Sequence, residues 1–237
     1  FKQQNQGKMT AINNLAQYVT GEIWIECDSD DYFTDEAFEK IEELYEKNKE
    51  RKDIYAFAFL KIDQNGNNMG NTFKKEETTM FDLYFKEGET GEKALAFITE
   101  VRKMYKYELE HNERFVTEAR MYHKMDKDYK MICNNEYIMV CEYQEEGYTK
   151  NINKEFVNNP FGYYRYFYEI LNDMDMRGVL FRKKFYIIKH YILFSYLTKQ
   201  KCEINNGKIN DKVLIILFYI PGYIKSYIYG KYYKKYN

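Results

Sequence analysis

Apolar positions in the first twenty residues recur at helical spacing. Met9, Ile12, Leu15, Ala16 and Val19 fall on one helix face, and Thr20-Gly21 is a suitable stop. The short run Ile23-Trp24-Ile25 that follows, flanked by Glu22 and Glu26, predicts a strand buried on both faces, because such strands carry near-continuous apolar runs. Thr34 is a good N-cap, with Asp35 and Glu36 in the first turn of a helix. Ala37, Phe38, Ile41, Leu44 and Tyr45 give that helix one apolar face. Ile54 to Leu60 reads as a buried strand, and Asn65-Gly66 as a type I′ turn. Residues 71–90 are polar and irregular apart from an amphipathic piece at Met80 to Phe85. Lys93 to Ile98 predicts another strand, running into a short helix through Val101 and Met104. Phe115-Val116-Thr117-Glu118 opens a helix with Met121, Tyr122 and Met125 apolar. Two more strands are expected at Tyr129 to Ile132 and Tyr137 to Tyr143.

From Asn159-Pro160 the pattern turns aromatic and helical. Phe161 to Leu171 is followed by a basic helix, Arg182 to Leu197, with Phe185, Ile188, Ile192 and Tyr196 on its apolar face. Beyond Asn205-Asn206-Gly207 come Val213 to Ile220 and an end rich in tyrosine and lysine. No uninterrupted apolar run approaches the roughly 20 residues needed to span a bilayer. The pattern divides the chain into residues 1–158 and an aromatic, basic helical extension at 159–237.

Composition sharpens that division. The whole chain of 237 residues carries a net charge of -1, yet from Arg182 onward twelve Lys/Arg face two Asp/Glu, so the end is +10 and residues 1–181 are -11. Such a split points to an anionic partner for the tail. Its tyrosines are interleaved with aliphatics, which suits the interface of an anionic membrane better than base stacking, so no nucleic-acid partner is expected. Cys27, Cys133, Cys141 and Cys202 show no CxxC spacing, which favours a reduced, cytosolic protein over a disulfide framework. His111, His123 and His190 form no metal-ligand spacing, and no Ser-His-Asp or Cys-His arrangement is evident.

The chemistry-bearing stretch is Asp28-Ser29-Asp30-Asp31, directly after the first strand. Carboxylates crowded there repel one another unless a hard cation neutralises them, and Mg²⁺ is typically held by one or two carboxylates plus substrate phosphates. Ligands of open α/β sheets bind outside the carboxyl ends of strands. An EF-hand starting at Asp28 is excluded, since its sixth position, where a sharp turn needs Gly, is Phe33.

In order, Asn5-Gln6-Gly7-Lys8, Ala11-Ile12-Asn13, Thr20-Gly21-Glu22 and Asp28-Ser29-Asp30-Asp31 resemble family 2 glycosyltransferases of the GT-A fold. Glu113-Arg114-Phe115-Val116-Thr117-Glu118 and Cys141-Glu142-Tyr143-Gln144-Glu145-Glu146-Gly147-Tyr148-Thr149 resemble the bacterial branch that builds cell-surface polysaccharides. The resemblance covers roughly residues 1–165. It implies an α/β fold, a GT-A-type mixed sheet flanked by helices, followed here by the C-terminal helical extension. A GT-A domain opens with βα units ahead of its acidic loop, and each βαβ unit needs roughly 30 residues. With that loop at residue 28, the chain reads as lacking its first βα units.

The implied activity is transfer of a hexosyl or N-acetylhexosaminyl group from a nucleotide-diphosphate-sugar donor to a hydroxyl of a glycan or lipid-linked acceptor, with inversion. The implied place is the cytoplasmic, inner face of the cell membrane. Asp30 would hold Mg²⁺ or Mn²⁺, Asp28 would share the metal or orient the ribose, and Asp31 would support the donor. Lys8, beside a helix N-terminus suited to anions, would meet the diphosphate. Lys93 lies in a segment that is close to the donor sugar in relatives. Relatives carry Glu-Asp where this chain has Glu118-Ala119, so Glu118 becomes the expected base, with Glu113 in reserve. Ile12 stands where many relatives have Arg, and the Glu145 to Thr149 turn is acidic where they often have Arg. The alternative from another class is a non-catalytic, membrane-peripheral binding module.

Overall fold

Seven consecutive residues, Ile54 to Leu60, are no more than 2% exposed and form the first part of β3 (Ile54–Asp63), the central strand of the sheet. The computed structural model describes residues 2–142, 152–203 and 231, and these divide into two compact units. A sheet unit is made from residues 14–106 and 121–142, and a helical unit from residues 2–13, 107–120 and 152–203. The expected helix at Val213 to Ile220 and the turn at Glu145 to Thr149 lie outside the described residues.

In the sheet unit the strand order is β1 (Ile23–Ile25), β5 (Lys93–Ile98), β3, β6 (Lys130–Cys141) and β2 (Tyr32–Phe33), with β4 (Glu77–Thr78) also pairing β6. Among the described residues β3 and β6 run parallel, and the other strand pairs are antiparallel. The helix α2 (Ala37–Asn48) adds Ala37 and Ile41 to a core built from Phe57, Phe59, Ala94, Ala96, Ile138 and Met139. Behind β5, α3 (Thr99–Met104) follows at once. This is the mixed α/β sheet flanked by helices, with helices at the C-terminal side, that the resemblance implies.

Several local expectations are corrected. β1 is not buried on both faces: it pairs only β5 among the described residues, and of its three residues only Trp24 is buried. The two strands expected near 129–143 are one, β6, whose ladder with β3 continues past an irregularity between Cys133 and Tyr137. Within that irregularity Asn135 accepts the Phe73 N–H at 2.7 Å and donates to its carbonyl at 3.1 Å. Thr34 does not cap α2. Its hydroxyl bonds the Tyr137 carbonyl at 3.3 Å, and its own carbonyl accepts the Ala37 N–H at 3.1 Å, so the helix starts three residues later. Phe38 accordingly faces out, 61% exposed. Gly66 alone takes a left-handed φ of +79°, so the hairpin turn is not type I′. The Asp63 carboxylate pins it by accepting the Asn65 and Asn67 N–H groups, both at 2.8 Å.

Residues 71–90 are also better ordered than their polarity suggests. Phe81 and Leu83 are buried around a π-helical turn at Asp82–Lys86. Asp126, half-buried, seats this segment by accepting the Met80 and Phe81 N–H groups at 3.0 and 2.8 Å and the Tyr55 hydroxyl at 3.0 Å.

The helical unit contains α5 (Ile152–Asn158), which sequence periodicity did not suggest, α6 (Pro160–Asp173) and α7 (Phe181–Thr198). Pro160 sits in the first turn of α6, where its missing N–H costs nothing. The helices α6 and α7 pack through rings, Tyr163 on Phe194 at 5.1 Å and Phe167 on His190 at 5.4 Å between centroids. Ile188 and Ile192, on the apolar face expected for this helix, are buried. α1 (Lys8–Leu15) and α4 (Glu118–Met125) each contribute residues to both units.

Candidate active site

The acidic loop leaves the end of β1, and that end is fixed by a buried arginine. Arg102 of α3 is 1% exposed, with its guanidinium 4.4 Å from the ring centre of Trp24 and 5.6 Å from that of Phe97. It donates to Glu26 Oε1 at 2.9 Å and to the Tyr105 carbonyl at 2.9 Å. A planar, permanently charged group that stacks and forks in this way holds Glu26, two residues before Asp28, in one place. A single Arg in a short helix carries no sequence signal for such a role.

Within the loop the three carboxylates have different environments. The Asp31 N–H bonds back to the Asp28 carbonyl at 3.0 Å, turning the chain. Asp31 faces inward: Lys61 Nζ lies 3.6 Å from its carboxylate, and the Cys141 thiol donates to it at 3.1 Å. Burial pushes the Cys141 thiol up to about 12, so it remains a donor at neutral pH. Burial and then Asp31 likewise raise Cys27, whose thiol bonds the Asp31 carbonyl at 3.4 Å. Asp28 is exposed and Asp30 half-buried. These are the carboxylates that the fold leaves near the surface.

Lys93, in the same unit, is engaged with its surroundings. Its ammonium donates to the Asn71 carbonyl at 2.6 Å and sits 5.0 Å from the Phe73 ring centre. Burial holds its pKa below the usual lysine value.

In the helical unit Lys8 and Glu118, expected separately for the donor and for base catalysis, are brought together as an ion pair at 3.4 Å. Gly7 sets the start of α1 with φ +93°; a Cβ there would meet the Arg114 carbonyl oxygen at 2.5 Å. Asn13 fixes the same helix by donating to the Tyr107 carbonyl at 2.8 Å and accepting its N–H at 3.0 Å. Two residues beyond Glu118, Arg120 is 3% exposed and bonds Glu169 at 2.8 and 3.0 Å, Glu108 at 3.2 Å and Glu110 at 3.1 Å. Arg120 anchors the first turn of α4, which carries Glu118.

Glu113, held in reserve as a base, has a structural task. Its two carboxylate oxygens accept the Phe161 and Gly162 N–H groups at 2.7 Å each, capping α6 from 48 residues away. Burial raises its pKa to about 7 against those two donors, and burial likewise raises Asp126 to about 7. Both values lie above the unfolded ones, so the folded protein binds more protons across that window. The stability from these groups is therefore full below the ordinary carboxylate range and lost as pH rises through about 7. We expect the urea midpoint to fall between about pH 5 and about pH 8, less steeply in Glu113→Gln and Asp126→Asn; a midpoint rising with pH would contradict this assignment.

Among the described residues, no three His, Cys, Asp or Glu side chains converge into a metal cluster. Two hard carboxylates on a surface loop still fit Mg²⁺ or Mn²⁺, which needs only one or two of them when phosphate oxygens and water complete its shell. Asp28 and Asp30 fit that requirement; Asp31, engaged by Lys61 and Cys141, does not.

The chain matches the family model described as glycosyl transferase family 2 over residues 1–186. A search of curated proteins returns no match. Because the match takes in well over half of the chain and parts of both compact units, the protein belongs to glycosyl transferase family 2.

Proposed function

We propose that the protein transfers a hexosyl or N-acetylhexosaminyl group, with inversion, from a nucleotide-diphosphate sugar to a hydroxyl of a glycan or lipid-linked acceptor. The setting is bacterial cell-surface polysaccharide synthesis at the inner face of the membrane. The observation that carries the chemistry is the division of labour in the acidic loop: Asp31 is taken up internally, while Asp28 and Asp30 remain near the surface. Asp30, with Asp28, would hold a divalent cation. When bound, that cation supplies charge neutralisation to the departing diphosphate. Lys8, at the start of α1, is a cation suited to a donor phosphate. Glu118 accepts the proton of the acceptor hydroxyl as that oxygen attacks the anomeric carbon, while the bond to the diphosphate oxygen breaks on the opposite face.

The test is hydrolysis and transfer with a panel of nucleotide sugars, in Mn²⁺ and in EDTA. One donor should turn over only with metal, and Asp30→Ala should lower its turnover about a hundredfold or more. Metal-independent turnover would remove the role given to Asp30. Failure to bind any donor would leave the non-catalytic, membrane-peripheral module.

A further inference from the structure

The start of α7 is built against the rules of helix stability. Leu180 occupies its N-cap without a side-chain bond, where Ser, Thr, Asp or Asn would satisfy an orphan N–H. Arg182, Lys183 and Lys184 crowd the first turn, where the helix dipole disfavours cations, and α7 contains no acidic residue at all. Among the described residues, neither these three nor Lys189 forms an ion pair; Lys189 instead lies over Phe185 and Tyr186 at 5.7 and 5.8 Å. At the same corner, apolar surface faces solvent: Phe181 is 69% exposed, Leu180 43% and Tyr186 40%. Neither the cap, nor the charges, nor the exposed rings help the helix to form. Together they put exposed apolar side chains and cations on one helix start, which is the complement of a lipid interface with anionic headgroups.

We propose that the α6–α7 corner docks the protein on an anionic lipid surface, with Leu180 and Phe181 entering the headgroup region and Arg182, Lys183, Lys184 and Lys189 meeting the lipid phosphates. This rests on the membrane-peripheral part of the reading above, and assigns a contact to the start of α7. No helix among the described residues is long and apolar enough to cross a membrane.

The test is co-sedimentation of the full chain with phosphatidylcholine vesicles, with and without a third of phosphatidylglycerol. Binding should need the anionic lipid and weaken with salt. Each cation removed from Arg182→Gln, Lys183→Gln and Lys184→Gln should lower the partition coefficient roughly fivefold. Hydrolysis of a soluble donor should stay unchanged. In Phe181→Trp, vesicles should shift the added fluorescence to the blue. No binding by the native chain would overturn the membrane reading as a whole. Native binding with undiminished variants, or an unshifted emission in Phe181→Trp, would overturn the corner alone. Tighter binding to a single-stranded oligonucleotide than to vesicles would also overturn it. Loss of donor turnover with vesicle binding intact would count against the transferase proposal and leave this one standing.

Discussion

Glu118→Gln is expected to lower the turnover number by about 10²–10⁴-fold, the range that general base catalysis supplies. The substitution keeps the size of the side chain and an acceptor oxygen, but removes the ability to take a proton. Stability should hardly change. The Lys8–Glu118 pair is about a third exposed on each side, and pairs of that kind contribute little after solvent screening. A carboxylate in the first turn of α4 also interacts with the helix dipole, which contributes on the order of 0.3–1 kcal/mol. The two roles therefore separate cleanly in one comparison of kinetics with thermal unfolding. A base gives lost turnover with a nearly constant midpoint, whereas a helix-stabilising residue gives the reverse. Donor KM should stay close to native, because the lost proton acceptor acts on the acceptor hydroxyl. Native turnover in Glu118→Gln would remove it as the base.

Arg120→Ala is expected to cost about 3–5 kcal/mol, among the larger effects a single substitution gives. The guanidinium is the cationic centre for Glu108, Glu110 and Glu169, and it also bonds the Glu108 carbonyl at 2.9 Å. Removing it leaves three carboxylates facing one another, a Glu108 carbonyl without its guanidinium donor, and a cavity. For a chain of this size that loss lowers the thermal midpoint by about 6–20 °C. Arg120→Lys should recover only part of it, because an ammonium cannot reproduce the fork that meets both Glu169 oxygens. Glu108→Gln should cost far less, since the Glu108 side chain is 54% exposed. A midpoint unchanged in Arg120→Ala would refute the anchoring role.

The sequence made β3 and β5 legible because a buried strand needs nothing but an apolar run, and Ile54 to Leu60 supplies one. It made the acidic loop legible because three carboxylates in four residues have few ordinary uses. It hid what depends on distant partners. Asn134-Asn135-Glu136 looks like a break between strands until Asn135 is seen bonding both sides of Phe73. Glu113 looks like a spare catalytic acid until α6 arrives to be capped by it. Asp31 reads the same as Asp28 and Asp30 until Lys61 and Cys141 draw it inward. The apolar face of α7 was visible, but periodicity alone does not say whether lipid or protein covers it.

The helical unit is assembled from three separate stretches of chain, and this bears on the order in which the protein matures. Lys8 leaves the ribosome well ahead of α6, whose start Glu113 caps and which begins only at Pro160. At about 5–20 residues per second, roughly 8–30 s separate the two. By the end of that interval the sheet unit, whose described strands end at Cys141, has its sequence available, while Lys8 and Glu118 still lack α6 and α7 of their own unit. The proposed base and its lysine thus belong to a part of the nascent chain that becomes organised late.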